Sequence, residues 1–347
     1  MKSLQYQCKS RMEEQPKVYE AQCWGCAQWL VLPSYTPAFR CGWCGALSIQ
    51  KPPKTARSRW KSRLIVFRDR AFVTFVLIII ASTVCGGVWV AFPVLFTSIN
   101  FSFVFHSALT AILTFNTLFN FALCAHSPPG PVGKIAWGDV GFVPRGGLEG
   151  HTFCEYCKSP KPKGAHHCRT CGTCVMDMDH HCPFIGNCVG ANNHRHFILF
   201  LLYTVISCFY VFGMGLYTGL KIWPSVISFN HARSARRVSI PLGLDLGTDV
   251  VARLFGSPLV VSARAVGLLY LVVSSIAICT GVGLLLYQQV SLLYSGETFL
   301  DSLVPYGKSK DREGWDNVRR VFGNRHPFWW LFPTFSVDSG IRKIHVR

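Results

Sequence analysis

The sequence predicts an α-helical multi-pass membrane protein with four transmembrane helices, and three observations predict it. Half of the 347 residues are hydrophobic, and they gather into long blocks instead of recurring at the spacing of a globular amphipathic helix. Stretches 71–133, 197–220 and 265–296 contain no Asp, Glu, Lys or Arg. Twelve of the 16 cysteines fall outside these blocks, eleven of them in two clusters built from CxxC pairs.

In chain order, residues 1–50 form an N-terminal region in which Cys23 and Cys26 are followed by Cys41 and Cys44. Two CxxC pairs separated by a stretch containing Pro33, Ser34 and Pro37 have the spacing of a small four-cysteine zinc ribbon, 23–44. Gly42 and Gly45 suit the tight knuckle that wraps a metal. Four protein ligands leave zinc no open position, so the expected role is structural or partner recognition. Residues 51–70, with eight Lys or Arg, follow as a basic cytosolic linker.

Helices 1 and 2 are expected within 71–126. A helix rises about 1.5 Å per residue and the bilayer core is about 30 Å thick, so this stretch allows two crossings with a tight turn, placed near Pro93 to Asn100. Ser127-Pro128-Pro129-Gly130 stops helix 2, because proline lacks a backbone donor and clashes with the preceding turn. Helix 3 is expected at 197–220 and helix 4 at 265–292, joined by a luminal or external loop, 221–264. Four crossings put both termini on one side. Eight cations before helix 1, against none in the turn after it, place that side in the cytosol, although loop 221–264 carries six on the opposite side. Clustered CxxC thiolates persist as metal ligands in a reducing compartment, which makes 127–196 and the C-terminal segment 293–347 cytosolic too. Helix 1 is expected to serve as an uncleaved signal anchor. Plasma membrane, Golgi, endoplasmic reticulum and vacuole are all compatible with four spans.

Between Cys154 and Cys188 lie seven cysteines together with His166, His167, His180 and His181. Two tetrahedral zinc sites need eight ligands. Three thiolates and one imidazole, used twice, consume six cysteines and two histidines. One cysteine with a neighbouring histidine is left as candidate nucleophile and base. Spacing alone does not choose between His166 and His167, or between His180 and His181. Zinc-bound thiolates lower the formal net charge of +18 to about +14. That surplus, beside the spans, suits an anionic leaflet or a phosphate-rich head group. No interleaving of aromatic and basic residues suggests a strand-tracking groove, so no nucleic-acid partner is expected. Beyond helix 4, Trp315, Val318, Val321 and Phe322 recur at helical spacing before Phe328-Trp329-Trp330-Leu331-Phe332. This segment reads either as an interfacial aromatic belt or as a brace on the ends of the spans.

Cys154-x2-Cys157, His167-Cys168-x2-Cys171-x2-Cys174, Asp179-His180-His181-Cys182-x5-Cys188 and Asn193-x3-Phe197 together resemble the cysteine-rich domain of DHHC-type protein S-acyltransferases, the palmitoyltransferases. Four spans with a cytosolic, loop-rich, two-zinc domain between helices 2 and 3 look like that family, and the N-terminal ribbon is similar to that of a subgroup of plant members. The resemblance implies that Cys154, Cys157, His167 and Cys174 bind one structural zinc, and Cys168, Cys171, His181 and Cys188 the other. It implies that Cys182 is the nucleophile and carries an S-acyl intermediate, with His180 as base and Asp179 orienting it. The implied co-substrate is long-chain acyl-coenzyme A. The implied partners are membrane lipids and proteins with membrane-proximal cysteines. Departures are local: Pro128-Pro129-Gly130 replaces Asp-Pro-Gly, Gly164 stands for the usual Arg, Phe184 for Trp, and Thr298-Phe299-Leu300-Asp301 for Thr-Thr-x-Glu. In that last motif Thr298 and Asp301 are expected to supply a hydroxyl and a carboxylate at similar spacing.

Overall fold

The computed structural model describes residues 19–32, 36, 38–49, 59–132, 145–236, 263–303, 314–324 and 326–332. Pro33, Ser34 and Pro37 of the expected ribbon, the start of the basic linker, most of the expected loop 221–264 and the end of the C-terminal segment lie outside the described residues. The chain divides into two compact units, one drawn from 1–56 and 132–174, the other from 57–131 and 175–343.

The first unit is built from short strands. β1 (Tyr19–Gln22) pairs antiparallel with β2 (Trp29–Leu32). β3 (Ala38–Arg40), β4 (Leu47–Ile49), β5 (Thr152–Cys154) and β6 (Ser159–Lys161) form one four-stranded sheet in that order. The junction between β4 and β5 is parallel, with Leu47 opposite Thr152, so the ribbon and the first cysteine pair of the central block share a sheet. Leu148 is buried against Cys23, Cys41, Cys44 and Ala46, and its N–H donates to Cys44 O at 2.8 Å. Trp24 covers the same seam, its Nε1–H donating to Leu47 O and its ring lying 5.5 Å from that of Phe153. β7 (His166–Cys168) and β8 (Thr173–Val175) pair next along the chain.

The second unit holds four long helices: α1 (Arg59–Leu95), α2 (Phe101–His126), α3 (His194–Arg236) and α4 (Ala263–Ser295). Within them, Arg63–Leu95, Phe101–His126, His194–Ile222 and Arg264–Ser295 are each long and apolar enough to cross a bilayer, with mean hydropathy between 1.6 and 2.4. This is a multi-pass helical membrane architecture with cysteine clusters before helix 1 and between helices 2 and 3. α1 starts inside the basic stretch and passes Pro93, where a proline so near the helix end disturbs few turns. The turn is therefore shorter than expected. Asn100 starts α2, its side chain accepting from the Phe103 N–H at 2.9 Å, a cap that satisfies a donor the first turn leaves open.

α3 packs on α2 and α4, and α1 lies against α3 and α4. At one end they meet a two-stranded hairpin, β9 (His180–Cys182) and β10 (Asn187–Val189). Two asparagines fasten it. Asn187 Nδ2 donates to Cys124 O at 3.0 Å and to Ser127 O at 2.9 Å, occupying carbonyls that the last turn of α2 leaves unpaired. Fully buried Asn193 accepts from Gly190 N–H and donates to Cys188 O. After α4 come α5 (Phe299–Leu303), α6 (Trp315–Phe322) and α7 (Pro327–Trp330). Val318 packs with Ile198 and Leu293, joined by Phe322 and Trp330, whereas Phe328 and Trp329 are exposed. One face of this segment braces α3 and α4 and the other remains an aromatic surface.

Gly190 sits where the chain re-enters against the end of α2. A Cβ there would lie 2.5 Å from Pro129 O, 2.6 Å from a Val175 methyl and 3.0 Å from Met176 O, the first two closer than side chains approach, and the two oxygens belong to the backbone. Gly190→Ala is expected to cost about 1–3 kcal/mol, seen as a lower midpoint in thermal unfolding of the detergent-solubilised protein. An unchanged midpoint would show that the turn relaxes freely.

Candidate active site and metal centres

β9 carries three of the candidate residues, and strand alternation sorts them. Successive side chains point to opposite faces, so His180 and Cys182 share one face and His181 takes the other. Cys188 pairs across the hairpin with His181, and their Sγ and Nδ1 lie 3.6 Å apart. Cys182, 6% exposed, turns into an apolar cluster with Phe121 of α2 and Phe197 and Leu201 of α3, against which Val73 of α1 and Leu285 of α4 pack.

Asp179 is fully buried. Its Oδ2 accepts from His180 Nδ1 at 2.6 Å and from Gln289 Nε2 at 2.9 Å, and its Oδ1 accepts from the Phe299 N–H at 2.7 Å. Burial alone would push its carboxyl pKa up, but the hydrogen bonds from His180 and the Phe299 N–H, with the nearby His194 and His180 rings, prevail and hold it below the ordinary value. For His180, burial disfavours the imidazolium, yet hydrogen bonds to the Asp179 carboxylate and the Cys182 sulfur outweigh it and push the pKa up to about 9. With Nδ1 donating to Asp179, Nε2 is the ring nitrogen left to serve the thiol. The ring edge also rests on Phe197, 5.4 Å between centroids.

Three groups of Cys and His could hold a metal ion: Cys23, Cys26, Cys41 and Cys44; Cys154, Cys157, His167 and Cys174; and Cys168, Cys171, His181 and Cys188, with the ligand atoms of each within 4.8 Å of one another. The groups contain His167 and His181 rather than His166 and His180. Zinc fits these distances. Zn–S bonds of about 2.3 Å at tetrahedral angles set two sulfurs about 3.8 Å apart, and a sulfur and an imidazole nitrogen about 3.6 Å apart. Cys23 and Cys44 lie at 3.6 Å and Cys26 and Cys41 at 3.7 Å. Cys157 and Cys174 lie at 3.7 Å, and His167 Nδ1 is 3.5 Å from Cys154 Sγ. Tyr156 stacks on the His167 ring at 4.8 Å.

Sequence reasoning missed three contributors. Asp69 Oδ2 accepts from His181 Nε2 at 3.0 Å, while Arg68 holds its Oδ1 at 2.7 Å. A carboxylate on the outer nitrogen orients a metal-bound imidazole. The available signal was that Asp69 is the lone acid among residues 51–70. Gln289 is a buried amide inside an apolar run, a pattern that marks functional positions in membrane helices. The Phe299 contact uses backbone and leaves no trace in residue type.

The hydroxyl and the carboxylate expected of Thr298 and Asp301 are present and bond to each other. Thr298 Oγ1 donates to Asp301 Oδ2 at 2.9 Å and accepts from the Asp301 N–H at 3.2 Å. The two side chains cap α5 against each other, and its first N–H reaches Asp179. Phe184 meets Phe72 edge-on at 4.9 Å. Gly164 has φ +82, a left-handed conformation that glycine adopts without strain.

Four helices able to cross a membrane, three Cys/His groups that could hold zinc and a buried Asp–His pair beside a thiol define the class of site. Residues 148–304 match the family described as DHHC palmitoyltransferase. Palmitoyltransferase pfa3 of Emericella nidulans is 48% identical over 84 residues, 24% of this chain and 15% of the relative. Palmitoyltransferase ZDHHC15A of Danio rerio is 31% identical over 194 residues, 54% of this chain and 49% of the relative. Palmitoyltransferase ZDHHC20 of Homo sapiens is 42% identical over 81 residues, 23% of this chain and 22% of the relative. The matched stretches thus span half or less of these relatives' lengths.

Asp69→Ala is expected to weaken zinc retention about 10- to 100-fold, read as earlier loss of one zinc per chain during chelator titration followed by elemental analysis. Wild-type retention would mean that the carboxylate does not support the His181 imidazole.

Proposed function

We propose that the chain is a protein S-acyltransferase that moves a long-chain acyl group from acyl-coenzyme A to cysteine thiols of proteins, through an acyl-Cys182 intermediate. The observation that carries this reading is the 2.6 Å hydrogen bond from His180 to buried Asp179, on the strand face that also turns Cys182 into an apolar cluster where four membrane helices meet. Nucleophile, base and orienter stand in series, and the thiol opens toward the place an acyl chain must occupy. A chain of about sixteen carbons gains about 0.8 kcal/mol for each CH2 buried, so its binding site belongs among the helices.

In the first half-reaction the Cys182 proton passes to His180, the sulfur attacks the thioester carbonyl, and the bond from that carbon to the coenzyme A sulfur breaks. The departing thiolate takes the proton from His180. In the second, a protein cysteine thiol gives its proton to His180, its sulfur attacks the acyl-Cys182 carbonyl, the bond from that carbon to the Cys182 sulfur breaks, and the released Cys182 thiolate takes the proton back from His180. Thioester exchange is nearly balanced in energy, so the site supplies orientation and an activated thiol. Zinc, with four protein ligands at each centre, supplies structure and no open coordination position. Asp179 fixes the His180 tautomer, and His181 serves as a zinc ligand. In this reading both termini are cytosolic, on the side where acyl-coenzyme A and membrane-proximal cysteines of substrate proteins meet the site.

Purified, zinc-loaded protein incubated with a clickable palmitoyl-coenzyme A is expected to take up hydroxylamine-sensitive label. Cys182→Ser should abolish it and His180→Ala should slow it about 100- to 10,000-fold. No label on folded wild type would sink the acyl-enzyme. Proline at position 299 isolates the backbone contribution, since the first helical position tolerates it while the N–H is lost. Phe299→Pro is expected to slow labelling about 10-fold or more, and Phe299→Ala to stay near wild type, because a hydrogen bond to a charged group is worth about 1.5–3 kcal/mol. Equal rates in both would remove the Phe299 N–H from the site.

A further inference from the structure

Gln289 lies in the uncharged run of α4 and is 2% exposed. A primary amide buried there requires a partner at each end, and it has both. Its Nε2 donates to Asp179 Oδ2 at 2.9 Å, and its Oε1 faces Nε2 of His194 at 3.0 Å. His194 opens α3 and is itself 9% exposed. The orientation of the amide follows from chemistry. A carboxylate has only acceptors, so the amide must present its NH2 end to Asp179, and its oxygen then needs a donor, which His194 Nε2–H supplies. Were the amide turned over, its oxygen would face the carboxylate and its NH2 group would face the imidazole.

The consequence concerns the oxygen that His180 uses. Oδ2 of Asp179 takes both the His180 and the Gln289 hydrogen bonds, and Oδ1 takes only the Phe299 N–H. Two donors on one oxygen and one on the other fix the plane of the carboxylate. That plane sets the ring of His180 over Cys182. With Gln289 lost, Oδ2 is held by His180 alone, and the carboxylate can turn with the ring it is meant to hold still.

We infer that Gln289, aimed by His194, is a positioning residue of the acyl-transfer site: a polar relay from helices α3 and α4 that sets the Asp179 carboxylate and through it the His180 ring. The inference rests on the acyl-transfer reading above. Neither residue reaches the thiol, so the expected effect is on the rate of the step that His180 assists and not on how the donor binds.

The test is single-turnover acylation of Cys182 in the zinc-loaded, full-length protein in detergent, with clickable palmitoyl-coenzyme A varied to saturation. Thermal midpoint, zinc content and the fraction of protein that labels at long times are measured alongside. Gln289→Leu, which keeps the bulk and removes both hydrogen bonds, is expected to lower the saturating rate constant about 10- to 100-fold, with the half-saturating concentration unchanged. Gln289→His, which again offers one N–H and one acceptor nitrogen, should recover most of the rate, and His194→Phe should resemble Gln289→Leu. A Gln289→Leu rate equal to wild type overturns the inference while leaving the acyl-enzyme intact. A loss confined to labelled fraction, zinc content or thermal midpoint, with the rate constant per competent molecule unchanged, also overturns it, because the role would then be structural. Failure of the wild type to label through Cys182 overturns both readings, and the wild-type control separates that outcome from the others.

Discussion

A carboxylate with no exposure to solvent cannot remain ionised unless its lone pairs are met by donors, because the cost of burying an isolated charge exceeds the stability of a typical domain. Asp179 is in that position. The donors come from the next residue and from two distant places, the fourth helix at Gln289 and the first N–H of the short helix after it at Phe299. Each donor has a direction as well as a distance, so the hairpin, the axial setting of α4 and the start of α5 are bound into one geometric condition. None of these three donors is a Lys or Arg. A fixed cation there would compete with His180 for the carboxylate.

The hairpin gives adjacent residues different duties through nothing more than the pleat. His180 and Cys182 face the apolar cluster, while His181 faces Cys188 and Asp69. A one-residue slip in register would exchange the two faces, putting an imidazole with a metal-ligand geometry into the apolar cluster. Asn187 and Asn193 guard against it. By binding carbonyls at the end of α2 and backbone groups within the hairpin turn, they tie the register to a membrane helix, which cannot slide along its axis without moving its apolar belt out of the bilayer.

Much of this was legible in the sequence because the signals are local. Uncharged runs name the spans, CxxC spacing names most metal ligands, and counting ligands against cysteines and histidines leaves one thiol over. The structure gathers Cys154, Cys157, His167 and Cys174, and separately Cys23, Cys26, Cys41 and Cys44, at distances that suit a tetrahedral ion. What was not legible depends on contacts between distant residues. Asp69 lies 112 positions from His181 and Gln289 lies 110 from Asp179, and no periodicity links either pair. The Thr298 motif shows a different obstacle. Its residue types announce a hydroxyl and a carboxylate but not where they point, and three positions apart at a helix start the two cap each other. The N–H they organise then acts in their place.

The ribbon was read as a module of its own, and its four cysteines encourage that, since a structural zinc site can fold a short segment by itself. Its strands argue for closer integration. β4 continues into β5 through the Leu47–Thr152 pairing, and the segment between the central block and helix 2 returns to the ribbon, where Leu148 fills the space beside Cys23 and Cys44. Gly25 leaves room for it: a Cβ there would fall 2.6 Å from a Leu148 methyl. A sheet edge left open costs hydrogen bonds and invites unwanted pairing. With the ribbon in place, β5 has neighbours on both sides, so the strand that ends at Cys154 is held through the sheet by one cysteine knuckle and begins another. The two centres of this unit therefore share a stiffness that neither short strand could supply alone.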